Sequence, residues 1–392
     1  MRAGVILGVV ACVVVMLPLA AAARPVDAPA GPSSAFLIGI DDDHAKWLTR
    51  PDGLLAKYRD LGLGAVRVTI PWRRGQTRPT GLVGVYLHRA ASMVARGQRV
   101  VISVFGKPSE APVEAKSRKQ YCDFLHHVLL RVPFRDVVVW NEANSPQFWP
   151  RSAGAPAYEA LLATCWRRVH ALRRNDVNLI STTAPHYDPA GFVRELGAAY
   201  RERGRRYPIL DTFGHNPYPD YASEPPWVQH EDPRTVGQGD LARLLDAIRD
   251  AFEGTAQPLP GEGRTTIWYL EIGFQTTVPR AKRRFYRGVE TDASAVPPLA
   301  QRKVEPWVRD QARQLRDALL LARCQPEVGA FFNFELLDED RLAGWQSGVL
   351  WRDGTHKPSY DAFKTAVRVV ASGEVDCSTV AGAGGTLPPW PP

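Results

Sequence analysis

Cysteine is scarce in this chain, five in 392 residues, and none shows the C-x-x-C spacing of a zinc site, so metal binding by these thiols is not expected. No Gly-rich turn follows the first strand-like run. Residues 39–45 read GIDDDHA at that point, and their acidity repels phosphate, which argues against a nucleotide fold. The same aspartates lack the spacing of an EF-hand loop, so hydroxyl recognition or helix capping fits Asp41, Asp42 and Asp43 better than calcium. The apolar run Val5 to Leu19 is short for a membrane span of roughly 20 residues and is broken by Pro18. There is no recognisable nucleic-acid-binding module. No cofactor and no metal are therefore expected.

What is present begins with a leader pattern. Arg2, the apolar run and the small residues Ala20 to Ala23 predict a signal peptide over 1–23, followed by a flexible lead-in over 24–34. Cys12 lies inside the apolar run, which argues against a lipoprotein. Export, as a secreted or envelope-associated protein without stable membrane insertion after cleavage, leaves Cys122, Cys165, Cys324 and Cys377 in an oxidising compartment. The formal net charge of +8 comes mostly from arginines on helix faces, such as Arg167 and Arg168. Such runs read as solvated surface, although a basic surface could favour acidic polysaccharide or an anionic envelope. A monomer is expected. The tail 378–392, rich in Gly, Thr and Pro, reads as disordered.

Between these ends, over 35–377, short apolar runs alternate with longer amphipathic ones. Strands are predicted at 36–40, 65–70, 100–105, 137–140, 178–183, 210–214, 266–270 and 330–334, with a helical pattern after each. Eight such units imply a closed (β/α)8 TIM barrel of the α/β class, with its site at the carboxyl ends of the strands. An open doubly wound sheet is the alternative, and it would need the missing phosphate loop. Cys122 and Cys165 fall in successive helices of the outer ring. Cys324 ends the seventh long helix and Cys377 follows the last, so the pairs Cys122–Cys165 and Cys324–Cys377 are predicted. The long segments 217–239 and 276–305 would wall the cleft.

Two strands end in glutamate. The run DVVVW is followed by Asn141 and Glu142, and TIWYL is followed by Glu271. Paired carboxylates at strand ends are what double-displacement glycoside hydrolysis requires. WNEANSPQFW resembles the strand-four Trp-Asn-Glu-Pro-Asn motif of the retaining glycoside hydrolases of clan A, and WYLEIGFQT resembles their strand-seven nucleophile motif. The stretch after the eighth strand resembles the end of family thirty-nine and family five barrels. Ala143 stands where proline is common in the strand-four motif.

The resemblance implies Glu142 as acid/base, Glu271 as nucleophile, Asn141 on the sugar 2-hydroxyl, Arg67 beside the nucleophile, and His215 and Tyr218 on strand six, with the Tyr hydroxyl donating to the nucleophile. Two residues separate His215 from Tyr218 where many relatives have one. Arg67, inside an apolar strand, needs a carboxylate partner on physical grounds alone. Glu335 is a third strand-end carboxylate, expected to bind a sugar hydroxyl or an arginine. Trp72, Trp149, Trp227, Trp345 and Trp351 are candidate sugar platforms, with packing as the other reading. The expected activity is hydrolysis of O-glycosidic bonds in an oligo- or polysaccharide. A non-catalytic glycan-binding barrel and an envelope transglycosidase are the alternatives.

Overall fold

The structure, a computed structural model, describes residues 36–172, 174, 176–289 and 307–383. The leader, the lead-in, residues 290–306 of the second long loop and residues 384–392 of the tail lie outside them.

All eight strands form where β-branched and aromatic runs place them: β1 Leu37–Asp41, β2 Ala65–Pro71, β3 Arg99–Phe105, β4 Asp136–Val139, β5 Asn178–Ile180, β6 Phe213–His215, β7 Ile267–Ile272 and β8 Val328–Phe334. Every pairing is parallel, in the order β5-β4-β3-β2-β1-β8-β7-β6. The ends β5 and β6 are joined by the bridges Ile180 to Thr212 and Thr183 to His215, which bring the sheet round to a barrel. Gly214 permits that seam, because a Cβ there would collide with the Ser181 carbonyl oxygen.

Helices alternate with the strands: α1 His44–Trp47, α2 Asp52–Leu61, α3 Gly81–Val94, α4 Ala115–Arg131, α5 Gly154–His170, α6 Pro189–Glu202, α7 Leu241–Phe252, α8 Trp307–Arg323 and α9 Pro358–Ser372. Among the described residues, the single α-turn α1 and a few 3-10 turns go beyond the expected set. Strand alternation sorts side chains into two cores. Ala65, Val101, Val138, Ile180, Trp268, Leu270, Ala330 and Phe332 fill the barrel interior. Their neighbours, such as Val66, Val68, Val137, Val139, Ile267 and Tyr269, pack outward against the helices.

Cys122 is bonded to Cys165, and Cys324 to Cys377. The first bond ties α4 to α5, and the second ties the end of α8 to the segment after α9. That segment differs from expectation in its first residues. Val380 and Ala381 are buried with Trp227 and Leu321, because the second disulfide holds them against apolar partners.

Candidate active site

Both glutamates owe their direction to a break in strand regularity. On β7, Trp268 and Leu270 point into the barrel while Ile267 and Tyr269 point out. Strict alternation would send Glu271 outward, but the pairing with β8 shifts register between Tyr269 and Ile272. Ile272 takes the outward place, and Glu271 is turned into the cleft. On β4 the chain leaves the extended region: Trp140 has φ 65° and Glu142 φ 39°, both left-handed conformations that are costly for side chains of this size. Trp140 thereby joins the outer core, edge-on to Trp72, Tyr121 and Trp149, while Asn141 and Glu142 face the cleft.

Around Glu271 the partners are cationic or donating. Arg67 Nη1 lies 2.6 Å from Glu271 Oε1 and also pairs with Asp41. Its Nη2 donates to Ser103 Oγ at 2.9 Å and to Asn141 Oδ1 at 3.2 Å. Burial pulls the guanidinium down, but Asp41 and Glu271 outweigh it and raise it. Tyr218 Oη donates to Glu271 Oε2 at 3.1 Å, and burial together with the Glu271 charge pushes this phenol well above its ordinary range. It is a donor that stays protonated. Asp41, buried and facing Glu271, is raised well above the usual carboxylate value despite Arg67.

Glu142 has no cation within ion-pair distance among its described contacts. Asn216 Nδ2 donates to its Oε1 at 2.8 Å, and burial plus the negative charge of Glu271 push it up to about 8. Two carboxyl groups on one cleft thus sit in environments of opposite sign.

Two lobes meet at Glu271. One, of about 450 Å³, is lined by eight carboxylates, from Asp41 to Asp43 and Glu271, Glu335, Asp338, Glu339 and Asp340, against two arginines and one histidine. The other, of about 530 Å³, holds both Glu142 and Glu271 with Phe148, Tyr187, Phe334 and Trp345. Trp345 is half-buried, its ring 5.0 Å from Tyr218 and 5.5 Å edge-on to Phe334. Glu335 lines the acidic lobe with Oε2 buried and unbonded, and burial with the charges of Glu339, Asp41 and Asp42 raises it well above its ordinary value.

Other expected site residues lie elsewhere. Trp72 and Trp149 are buried in the aromatic cluster around Trp140 and offer no face to a sugar, because the turn at Trp140 draws them inward. Trp227 packs under the tail, and Trp351 lies buried beneath Lys357. His215 is enclosed in the β5–β6 seam, held by Thr183 Oγ1 and the Val236 carbonyl, each at 2.9 Å. Burial drops it to about 4, so it is neutral and structural. Asp43 accepts from Thr69 N at 2.8 Å, and Asp42 from Tyr58 Oη at 2.8 Å; these two support the scaffold. Two partners escaped the sequence reading. Asn216, the bond to Glu142, follows His215 directly, and Asp41 shares Arg67; an amide and an acid at strand ends were the available signals.

No protein-family model matches the sequence, and no curated protein matches it. Among solved structures the chain is similar to a family 39 glycoside hydrolase from the gut symbiont Bacteroides cellulosilyticus WH2, at 15% identity and TM-score 0.59, covering 85% of this chain and 64% of that one. It is similar to a GH5_18 protein from Bifidobacterium longum subsp. infantis, at 16% identity and TM-score 0.54, covering 85% and 78%. A GH10 endoxylanase from a sugarcane soil metagenome gives 13% identity and TM-score 0.54, covering 86% and 97%. These likenesses establish the fold. The chain spans just under two thirds of the first of them.

Proposed function

We propose that the protein is a retaining glycoside hydrolase, acting on a poly- or oligosaccharide, with Glu271 as nucleophile and Glu142 as acid/base. The observation that carries this reading is the contrast between the two carboxyls: Glu271 against Arg67 and Tyr218, Glu142 raised to about 8 beside it. Glu142 gives its proton to the leaving oxygen as a Glu271 oxygen bonds to the anomeric carbon and the glycosidic bond breaks. With Glu271 esterified its charge is gone, so the ionised Glu142 persists and takes a proton from the water that attacks the same carbon, freeing the sugar and Glu271. Asn141, held by Arg67, is placed for the 2-hydroxyl. Trp345 serves as platform in the aromatic lobe.

The acidic lobe disfavours anionic sugars only through those of its acids that lack a cation, since Asp41 and Glu271 share Arg67 while Asp43, Asp338 and Asp340 pair with Lys46, Lys357 and Arg287. Two disulfides support export to an oxidising compartment, and no helix among the described residues is long and apolar enough to cross a membrane.

A panel of 2-deoxy-2-fluoroglycosides tests the assignment. Peptide mass spectrometry should find one glycosyl adduct on the peptide containing Glu271, and Glu271→Ala should abolish turnover, with azide restoring formation of an inverted product. Full activity of Glu271→Ala would end the assignment.

A further inference from the structure

Beyond the catalytic carboxylates, a group of metal-type donors among the described residues lies in the connection from β6 to α7. His230 is gripped there from behind by one carboxylate. Asp240 Oδ1 accepts from His230 N at 3.0 Å, and Asp240 Oδ2 lies 2.5 Å from Nδ1. Gly237 N fixes that carboxylate in turn, at 2.9 Å. With Nδ1–H donating to Asp240, the other ring nitrogen faces Glu224 Oε1 at 3.1 Å and Asp220 Oδ2 at 3.8 Å. Donor atoms of Asp220, Glu224 and His230 all lie within 4.8 Å of one another. Two carboxylates converging on one imidazole nitrogen require positive charge between them, which is either a second proton on the ring or a cation. Asp220 Oδ1 is also buried and accepts no hydrogen bond, with His186 Nδ1 3.4 Å away as a further imidazole beside the cluster.

We propose that Asp220, Glu224 and His230 form a binding site for a divalent transition-metal ion of the zinc class, with Asp240 as the positioning residue behind His230. Metal–ligand bonds of about 2.0–2.2 Å place tetrahedral ligand pairs about 3.3–3.6 Å apart, and the two measured separations straddle that range. A carboxylate on the far nitrogen of a ligating histidine fixes its tautomer and strengthens it as a ligand. One imidazole with two carboxylates suits zinc or manganese better than calcium or magnesium, which take oxygen sets. The backbone is held too: Gln314 Nε2, on α8, donates to the carbonyls of Ala222 and Glu224 at 2.8 and 2.7 Å.

Asp220 also lines the lobe that contains Glu142 and Glu271, and it follows Tyr218 by two residues. An ion here clamps the cleft wall and leaves a coordination position toward the lobe. The sequence reading missed it because the three donors share no compact motif; they are spread over eleven residues of an irregular loop.

The test uses the full chain, stripped with a chelator and titrated with zinc chloride by calorimetry, with metal content measured by mass spectrometry. We expect one zinc per chain and a rise in melting temperature. Asp220→Asn with Glu224→Gln should weaken binding at least about tenfold, and Asp240→Asn by about 10- to 100-fold. Absence of saturable binding would assign the site to a proton, and binding unchanged in these variants would place zinc elsewhere; either result overturns the proposal. If the double variant does not fold by circular dichroism, Asp220→Asn alone decides, since that side chain is 39% exposed. None of these readouts is turnover, so they stand apart from the glycosidase reading.

Discussion

Arg67 Nη1 sits 2.6 Å from Glu271 Oε1 and pairs with Asp41 as well, so one fully buried guanidinium serves two acids from β1 and β7. Replacing Arg67 with Met leaves two buried carboxyls facing each other without a cation. Loss of one partner of a buried pair costs about 3–5 kcal/mol, which urea unfolding at neutral pH should register.

On the proposed assignment, Glu142 should set the alkaline limb of activity. As a general acid it must hold its proton, so kcat/KM should fall as pH rises through about 8. Glu142→Gln should remove that limb and lower kcat/KM of unactivated substrates by about 10²–10⁴-fold, with much less effect on kcat/KM for substrates whose leaving group needs no proton, whose kcat should still fall because no base activates the water. The stability sign follows from the same shift. The folded pKa lies above the unfolded value, so the proton's contribution is complete below the unfolded pKa and is lost as pH rises through about 8. The Gln variant should therefore melt higher than the parent at pH 8 and equally at pH 4.

Anionic glycosides should be poor substrates. A sugar carboxylate about 8 Å from one uncompensated acid of the lobe pays about 2 kcal/mol at an effective dielectric of about 20, near thirtyfold in kcat/KM against the neutral sugar. Comparison of a uronide with its neutral counterpart, at low and high salt, measures it. A preference for the uronide would mean that the substrate sugar does not enter the acidic lobe.

The two disulfides should differ in accessibility. Cys122 and Cys165 are buried, whereas Cys324 and Cys377 are partly open, so mild reductant with alkylation should modify the second pair first. Removing either bond by Cys→Ser pairs should cost about 2–5 kcal/mol in unfolding experiments.

The barrel was legible because β-branched runs and amphipathic runs alternate eight times, and strand limits moved by only a few residues. Helix adjacency in a closed ring gave both cysteine pairs. What remained hidden depended on local departures from regular geometry. The register shift at Tyr269 to Ile272 turns Glu271 inward, and the left-handed turn at Trp140 pulls Trp72 and Trp149 out of reach of any ligand. Neither leaves a compositional trace. Asn216 reaches Glu142 only because the β5–β6 seam closes, and the positive net charge of the chain gives no hint of a cleft lined by acids.

Val380 and Ala381 wedge against Trp227, in the same excursion that carries Tyr218 and Asp220. Tension applied to the polypeptide beyond Cys377 should therefore load an indole and a disulfide that adjoin the segment bordering the proposed reacting centre. A reporter domain fused close behind these residues would act as a handle on catalysis, and the length of the spacer would tune how firmly it pulls.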